Sequence, residues 1–193
     1  LTDDVFEIKV VHESTGECYM TRDRSCIAVL DIGKTNKKVL IFDQNLNLET
    51  SAYEKFSEVG CDAINYEQPE AVFDWFVDKL AGLSGEYPIR AISVATHGAT
   101  AVCVDDAGNL TVPPVAYTTD GGETFRQRFY EAFGSPASLQ RETATAEIGS
   151  MINLAKLLFF CKEKWPAEFE QTRHVLSYPQ YFGFRLTGKA GAE

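Results

Sequence analysis

The sequence predicts an α/β domain, a mixed sheet flanked by helices. Apolar runs of strand length stand at residues 26–30, 39–42, 89–95 and 101–104. A helix-period apolar stripe at 69–83 separates the first pair from the second, and the last third of the chain reads as helical. The order β-β-β-α-β-β, then helices, is that of a mixed sheet flanked by helices. At 193 residues, 45% of them hydrophobic, the chain is long enough for one large core or two small ones.

The elements follow in order. In the first 24 residues Phe6, Ile8 and Val10 alternate with polar neighbours, and Ser14-Thr15-Gly16-Glu17 is a turn before Cys18-Tyr19-Met20; the pattern is that of a hairpin or edge ribbon, an N-terminal extension over residues 1–25. Residues 26–30 form a strand, 31–36 a polar turn containing Gly33, and 39–42 a second strand. Asn45-Leu46-Asn47 then turns the chain into a third strand over 49–56, giving a β-meander. Pro69 opens the helix over 69–83, where Phe73, Phe76, Val77 and Leu80 fall at i, i+3, i+4, i+7 and Asp74, Asp78 and Lys79 lie opposite. The strand over 89–95 breaks at His97-Gly98, and the one over 101–104 ends in a hairpin loop, Asp105-Asp106-Ala107-Gly108-Asn109. Phe125, Phe129, Ala132 and Phe133 share a helix face. Residues 151–161 are apolar nearly all round, which predicts a buried helix. Shorter helices follow over 167–172 and 178–186, the second stopped by Thr187-Gly188. No repeat, low-complexity segment or Gly/Pro/Ser-rich linker divides residues 26–193.

Charge and cysteine usage exclude several classes. Eighteen basic against 28 acidic residues leave a net charge of −10, and no basic run exceeds Lys37-Lys38, so nucleic acid and anionic membranes are poor partners. No apolar stretch approaches the roughly 20 residues of a bilayer span, and the first 25 residues lack a secretory pattern. Cys18, Cys26, Cys61, Cys103 and Cys161 are odd in number and widely spaced, without C-x-x-C; they read as reduced, mostly buried thiols in a cytoplasmic protein. The Asn109-Leu110-Thr111 sequon is then a chance match.

Three segments carry candidate chemistry. Asp31-Ile32-Gly33-Lys34-Thr35-Asn36-Lys37-Lys38 joins two apolar strands. The first strand delivers a carboxylate, Gly33 permits a sharp turn with converging backbone N–H groups, and Lys34, Lys37 and Lys38 concentrate positive charge. Such a turn holds phosphate oxygens while Asp31 holds a hydrated Mg²⁺; a plain hairpin with a solvated basic tip is the simpler alternative. Thr96-His97-Gly98 ends a strand, so His97 either faces a ligand hydroxyl or sits at the core edge. Asp120, in Tyr117-Thr118-Thr119-Asp120-Gly121-Gly122, is either a helix N-cap or a substrate contact, and the two are compatible. Neither a P-loop, nor G-x-G-x-x-G, nor a G-x-S-x-G elbow occurs, and the Asp105-Asp106 loop lacks calcium-ligand spacing. His12 and His174 have no partner pattern.

Together these landmarks resemble the N-terminal part of the FGGY family of carbohydrate kinases, with a flavour of its rhamnulose and fuculose kinases. Asp31-Ile32-Gly33-Lys34-Thr35-Asn36 resembles the family's D-x-G-T-T-[SN] loop, and Thr96-His97-Gly98 its strand ending in Q-M-H-G. Tyr117 to Asp120 stands where the family has W-N-D or Y-R-D. Leu154-Ala155-Lys156-Leu157-Leu158, Tyr178-Pro179-Gln180-Tyr181 and Arg185-Leu186-Thr187-Gly188 resemble its later helices. The resemblance covers residues 26–188. It implies a ribonuclease-H-like lobe of the actin and hexokinase superfamily, with ATP and Mg²⁺ as cofactors and a ketose, deoxy sugar or polyol as substrate. On that likeness Asp31 organises Mg²⁺; Gly33, Lys34, Thr35, Asn36 and Lys38 lie near the phosphates; Thr96, His97, Gly98 and Asp120 face the sugar. The sequence departs from the pattern at Lys34, where the family has Thr, and after Asp120, where the usual Arg is missing.

The resemblance places the proton-accepting Asp and the adenosine lobe beyond Glu193. The expectation is therefore a fragment, inactive alone, whose partners are ATP, sugar and the remaining C-terminal lobe, without nucleic acid or membrane; a homodimer is compatible with this. A non-catalytic sensing or interaction lobe of the same superfamily is the alternative. An actin- or heat-shock-type ATPase shares the phosphate hairpin, but the His97-Gly98 and Arg185-Leu186-Thr187-Gly188 landmarks disfavour it.

Overall fold

The computed structural model describes residues 25–191, so the hairpin or edge ribbon expected in the first 24 residues lies outside the described residues. Strands β1 (Cys26–Ile32), β2 (Asn36–Phe42) and β3 (Leu48–Lys55) form the antiparallel meander read from the sequence. A short ribbon, β4 (Val59–Cys61) and β5 (Ile64–Tyr66), leads into helix α1 (Pro69–Leu83). Strand β6 (Ile89–Thr96) then lies parallel to β1, completing a mixed sheet of order β3-β2-β1-β6. A parallel neighbour needs a long crossover, and α1 supplies it.

Strand β7 (Ala101–Val104) pairs antiparallel with β8 (His174–Ser177). Between them run α2 (Gly122–Phe133), α3 (Pro136–Thr143), α4 (Leu154–Lys164) and α5 (Pro166–Phe169), and α6 (Tyr178–Thr187) follows. All four β7 residues are buried because the ribbon separates two cores. On one side Val102 and Val104 join alternate residues of β1 and β2 (Ala28, Leu30, Ile32, Val39, Ile41), with Val72 and Phe76 of α1 and Tyr178, Tyr181 and Phe182 of α6. On the other, Ala101 and Cys103 pack with Val115, Phe125, Ile152, Leu157 and Cys161. Fully burying such a side chain contributes about 1.5–3 kcal/mol, which makes these two clusters the main source of stability.

Several expectations are corrected. The stripe of α1 is centred on Val72 and Phe76, and Val77 is 41% exposed on its far flank. Phe125 and Phe129 of α2 are buried, whereas Ala132 and Phe133 at its end are exposed. The helix read over 151–161 starts only at Leu154, because Met151 is held extended in a bridge to Asp120; Met151 and Leu154 are exposed, and Lys156, Leu157 and Cys161 are the buried residues. The helix read over 167–172 stops at Phe169, since Arg173 already donates to the Val104 carbonyl at 2.9 Å where β8 joins β7. The described cysteines are mostly buried, as expected: Cys26, Cys103 and Cys161 are, and Cys61 on the exposed β4 is the exception. Burial pushes the Cys103 thiol up to about 11 and Cys161 up to about 12, so both are inert at neutral pH. Among the described residues no helix is long and apolar enough to cross a membrane.

Candidate functional site

Strand parity sorts the charged hairpin residues onto two faces. Along β1 the residues Cys26, Ala28, Leu30 and Ile32 are buried, which leaves Asp31 on the half-exposed face. Across the ladder Asp31 is opposite Lys38 and Ile32 opposite Lys37. Lys38 therefore stands beside Asp31, its Nζ 3.3 Å from Oδ2, while Lys37 shares the buried face with Val39 and Ile41. A lysine cannot leave its ammonium unpaired there. Its aliphatic stem is covered and its Nζ turns back beneath the turn, donating to the carbonyls of Gly33 and Lys34, each at 2.8 Å. Desolvation lowers the Lys37 pKa, opposed by the charge of Glu67 and reinforced by Lys34.

The turn itself is tight. The Gly33 N–H donates to the Asn36 carbonyl at 3.1 Å, and a Cβ on Gly33 would stand 3.1 Å from the same oxygen. Thr35 and Asn36 are exposed at the tip, and the Thr35 carbonyl accepts from Phe56 N–H at 3.2 Å. Within the described residues the N–H groups of Lys34 and Thr35 make no backbone hydrogen bond, so they remain available as main-chain donors.

Lys34 points to the other side, toward the end of β6. Its Nζ is ion-paired with Glu58, lies 3.6 Å from Glu67 Oε1, donates to Thr118 Oγ1 at 3.1 Å and sits 4.6 Å from the Tyr117 ring centre. Thr118 in turn donates to both Glu58 oxygens, at 2.7 and 2.8 Å. Burial lowers the Lys34 pKa, with Glu67 working in the opposite direction. Glu67, just before α1, is 6% exposed, and its N–H is fixed on the Pro114 carbonyl at 2.8 Å.

His97 completes the cluster. Because β6 is parallel to β1 with Ile32 opposite Thr96, His97 emerges beside the hairpin turn at the carboxyl ends of adjacent parallel strands. In open α/β sheets that is where ligand crevices form. Thr96 Oγ1 donates to the His97 carbonyl at 2.8 Å, and Gly98 is exposed. The imidazole stacks on Tyr178 (centroids 5.1 Å, planes 28° apart) and packs against Tyr117 (5.1 Å). Its Nε2 is 3.6 Å from Glu67 Oε1. Burial, then Lys34 and Lys37, lower its pKa to about 4, so the ring is neutral at pH 7 and the contact with Glu67 is charge to dipole. Both ring nitrogens, Glu67 Oε1, Tyr178 Oη and Thr100 Oγ1 are buried without hydrogen-bond partners among the described residues. Each such orphan costs about 1–3 kcal/mol, which a ligand hydroxyl or water would recover.

Asp120 lies apart from this network. It is exposed, and its Oδ1 accepts from the Gly122 N–H at 2.9 Å, at the first residue of α2. The Ser150 side chain, then that N–H, hold its carboxyl below the usual range. The N-cap position itself falls on Gly121, so Asp120 satisfies the helix start from one residue earlier. Thr119 beside it is buried and clamps the Asn65 backbone, accepting from its N–H and donating to its carbonyl.

Glu58, Glu67, Tyr117 and Tyr178 were not singled out as site residues by sequence reasoning. Glu67-Gln68-Pro69 offers a signal, an acid directly before a Pro-opened helix, but that pattern also fits a solvated residue complementing a helix dipole. Glu58 carries no local signal. As to a divalent cation, no group of three or more His, Cys, Asp or Glu is arranged to hold one among the described residues. The residues present nevertheless fit Mg²⁺, which keeps most of its waters and takes one or two carboxylates plus phosphate. Asp31 offers a half-exposed carboxylate at the mouth of a turn with two uncommitted N–H groups.

No protein-family model matches the chain, and no curated protein matches it. Its fold does match solved structures. A carbohydrate kinase from Novosphingobium aromaticivorans superposes with a TM-score of 0.76 and 23% identity, over 86% of this chain and 34% of that one. The ligand-bound xylulose kinase from Lactobacillus acidophilus gives 0.74 and 21%, over 86% and 34%. The Plasmodium falciparum glycerol kinase with ADP gives 0.71 and 16%, over 86% and 35%. The fold is therefore the ribonuclease-H-like one, found in carbohydrate kinases, and the chain spans about a third of the length of these structures.

Proposed function

We propose that this chain is the front part of an ATP-dependent carbohydrate kinase that transfers the γ-phosphate to a hydroxyl of a ketose, deoxy sugar or polyol. One observation carries the reading: the turn over residues 33–36 and His97, just past the end of β6, lie side by side at the carboxyl ends of parallel strands, joined through Lys34 and Glu67. Phosphoryl transfer is largely positioning and charge stabilisation, so a phosphate-holding turn beside a hydroxyl-holding pocket is the arrangement it needs.

In this reading the N–H groups of Lys34 and Thr35, with the side chains of Thr35, Asn36 and Lys38, hold phosphate oxygens, and Gly33 permits their close approach. Asp31 holds Mg²⁺, which when bound neutralises charge on the transferring phosphate. Thr96, His97 and Gly98 form the sugar side. A sugar hydroxyl meets a neutral imidazole with no protein hydrogen bond to break. Asp120 contributes at the rim, where its carboxylate also holds the start of α2. The base that takes the hydroxyl proton is assigned to no residue of this chain, which is accordingly inactive by itself. Rhamnulose- or fuculose-type deoxy ketoses are the favoured substrates.

ADP release by the polypeptide that carries this segment, measured with Mg²⁺ against a panel of ketoses, deoxy ketoses and polyols, tests the proposal. Turnover dependent on one sugar class supports it. ATP hydrolysis independent of sugar, or none across the panel, refutes it.

A further inference from the structure

We propose that Glu67 is the positioning residue of this site: its carboxylate fixes the His97 imidazole as the Nε2–H tautomer and leaves Nδ1 as the acceptor for a donating group. The proposal rests on the reading of His97 as a ligand-facing residue, but its test does not.

The ring has little freedom apart from its proton. Tyr178 stacks on it and Tyr117 packs against it, so its orientation is set by packing. A neutral imidazole carries one N–H, on either nitrogen, and the hydrogen bond or charge that each nitrogen faces decides which. Nε2 faces Glu67 Oε1 at 3.6 Å. A lone pair aimed at a carboxylate oxygen is repelled and an N–H is attracted, so the proton belongs on Nε2. The separation exceeds a hydrogen bond and closes to one by a small shift when a ligand fills the site.

Glu67 is suited to the task by burial and anchorage. It is 6% exposed, held by its backbone on Pro114, and Oε1 accepts no hydrogen bond from the described residues. The same oxygen lies 3.6 Å from Lys34 Nζ, so one buried carboxylate sets both the lysine of the turn and the imidazole of the strand end. The consequence is a specificity rule. With Nδ1 unprotonated, the site takes a group that donates, such as a sugar hydroxyl, and discriminates against a carbonyl oxygen in the same place.

The experiment is long-range ¹H–¹⁵N correlation of the histidine rings of the ¹⁵N-labelled 193-residue chain at pH 7, without nucleotide or sugar, His97 being assigned by its loss in His97→Gln. The expected wild-type pattern is a single Nε2–H tautomer. In Glu67→Gln, whose amide can present either N–H₂ or C=O, the preference falls roughly tenfold, whereas Glu67→Asp, which keeps the charge, retains it. A purely structural Glu67 would leave the tautomer ratio of a folded Gln variant unchanged. That result, or an Nδ1–H ring in the wild type, overturns the proposal. Should Glu67→Gln fail to fold, the wild-type spectrum decides by itself. Failure of the kinase assay would refute the functional reading and leave this result standing.

Discussion

The ammonium of Lys37 donates to the carbonyl oxygen of Gly33 at 2.8 Å, from a side chain that is 1% exposed. A lysine counted in sequence as part of a basic tip thus ties the turn from beneath.

Lys37→Met keeps the buried stem but strips the Gly33 and Lys34 carbonyls of their charged donor. It should cost about 2 kcal/mol, read as a lower urea midpoint. Lys38→Met, which breaks only the half-exposed pair with Asp31, should cost less than about 1 kcal/mol. Equal losses in the two variants would contradict the division of the hairpin into a buried and an open face.

His97 makes stability pH-dependent in a defined direction. Its folded pKa of about 4 lies below the ordinary 6.5, so as pH falls the unfolded chain takes up the proton first. Stability that is complete above pH 6.5 is lost progressively toward pH 4, by on the order of 3 kcal/mol from this group. Urea unfolding of wild type and His97→Gln across that range should give a steeper decline for wild type, by close to one proton. Parallel curves would place the ring in water.

Gly108 has φ +86, and a Cβ built there stands 2.6 Å from Phe184 Cε1. Gly108→Ala meets both the left-handed backbone and an aromatic ring packed on the core, and should lower stability by about 1–2 kcal/mol. Thermal unfolding checks it, and an unchanged Tm would show that the loop and Phe184 yield freely.

Asp31→Asn removes a carboxylate paired only with Lys38 among the described residues, so the fold should survive with an unfolding midpoint near that of wild type. In the polypeptide that carries this segment, sugar-dependent ADP release should fall roughly a hundredfold or more. Undiminished turnover removes Asp31 from the cation site. His97→Ala in the same assay should raise KM for sugar more than KM for ATP, and the reverse would move His97 away from the sugar side.

Much of the scaffold was legible because it is local. The apolar alternation of 26–30 and 39–42 dictates two strands, and Gly33 marks the turn between them. Pro69 with the stripe at Phe73, Phe76 and Leu80 predicts α1 with the bounds it has. The separation of Asp31 and Lys38 from Lys37 was not read, because both strands run on into the turn, over Cys26–Ile32 and Asn36–Phe42. The short β4-β5 ribbon and β8 were missed because each has three or four residues, too few to show a period.

The sequence by itself determined the mixed α/β scaffold, the charged turn and the strand end bearing His97. These follow from side-chain period and turn chemistry within a few residues. Only the tertiary structure decided what surrounds the imidazole. Glu67 reaches it from just after the β4-β5 ribbon, Tyr117 from the segment before α2 and Tyr178 from the start of α6, while Glu58 and Thr118 hold the neighbouring Lys34; these distant stretches are brought together by the parallel β1-β6 pairing and the β7-β8 ribbon. Whether a charged residue is solvated or buried depends on what packs over it, and no local pattern encodes a neighbour supplied from elsewhere in the chain.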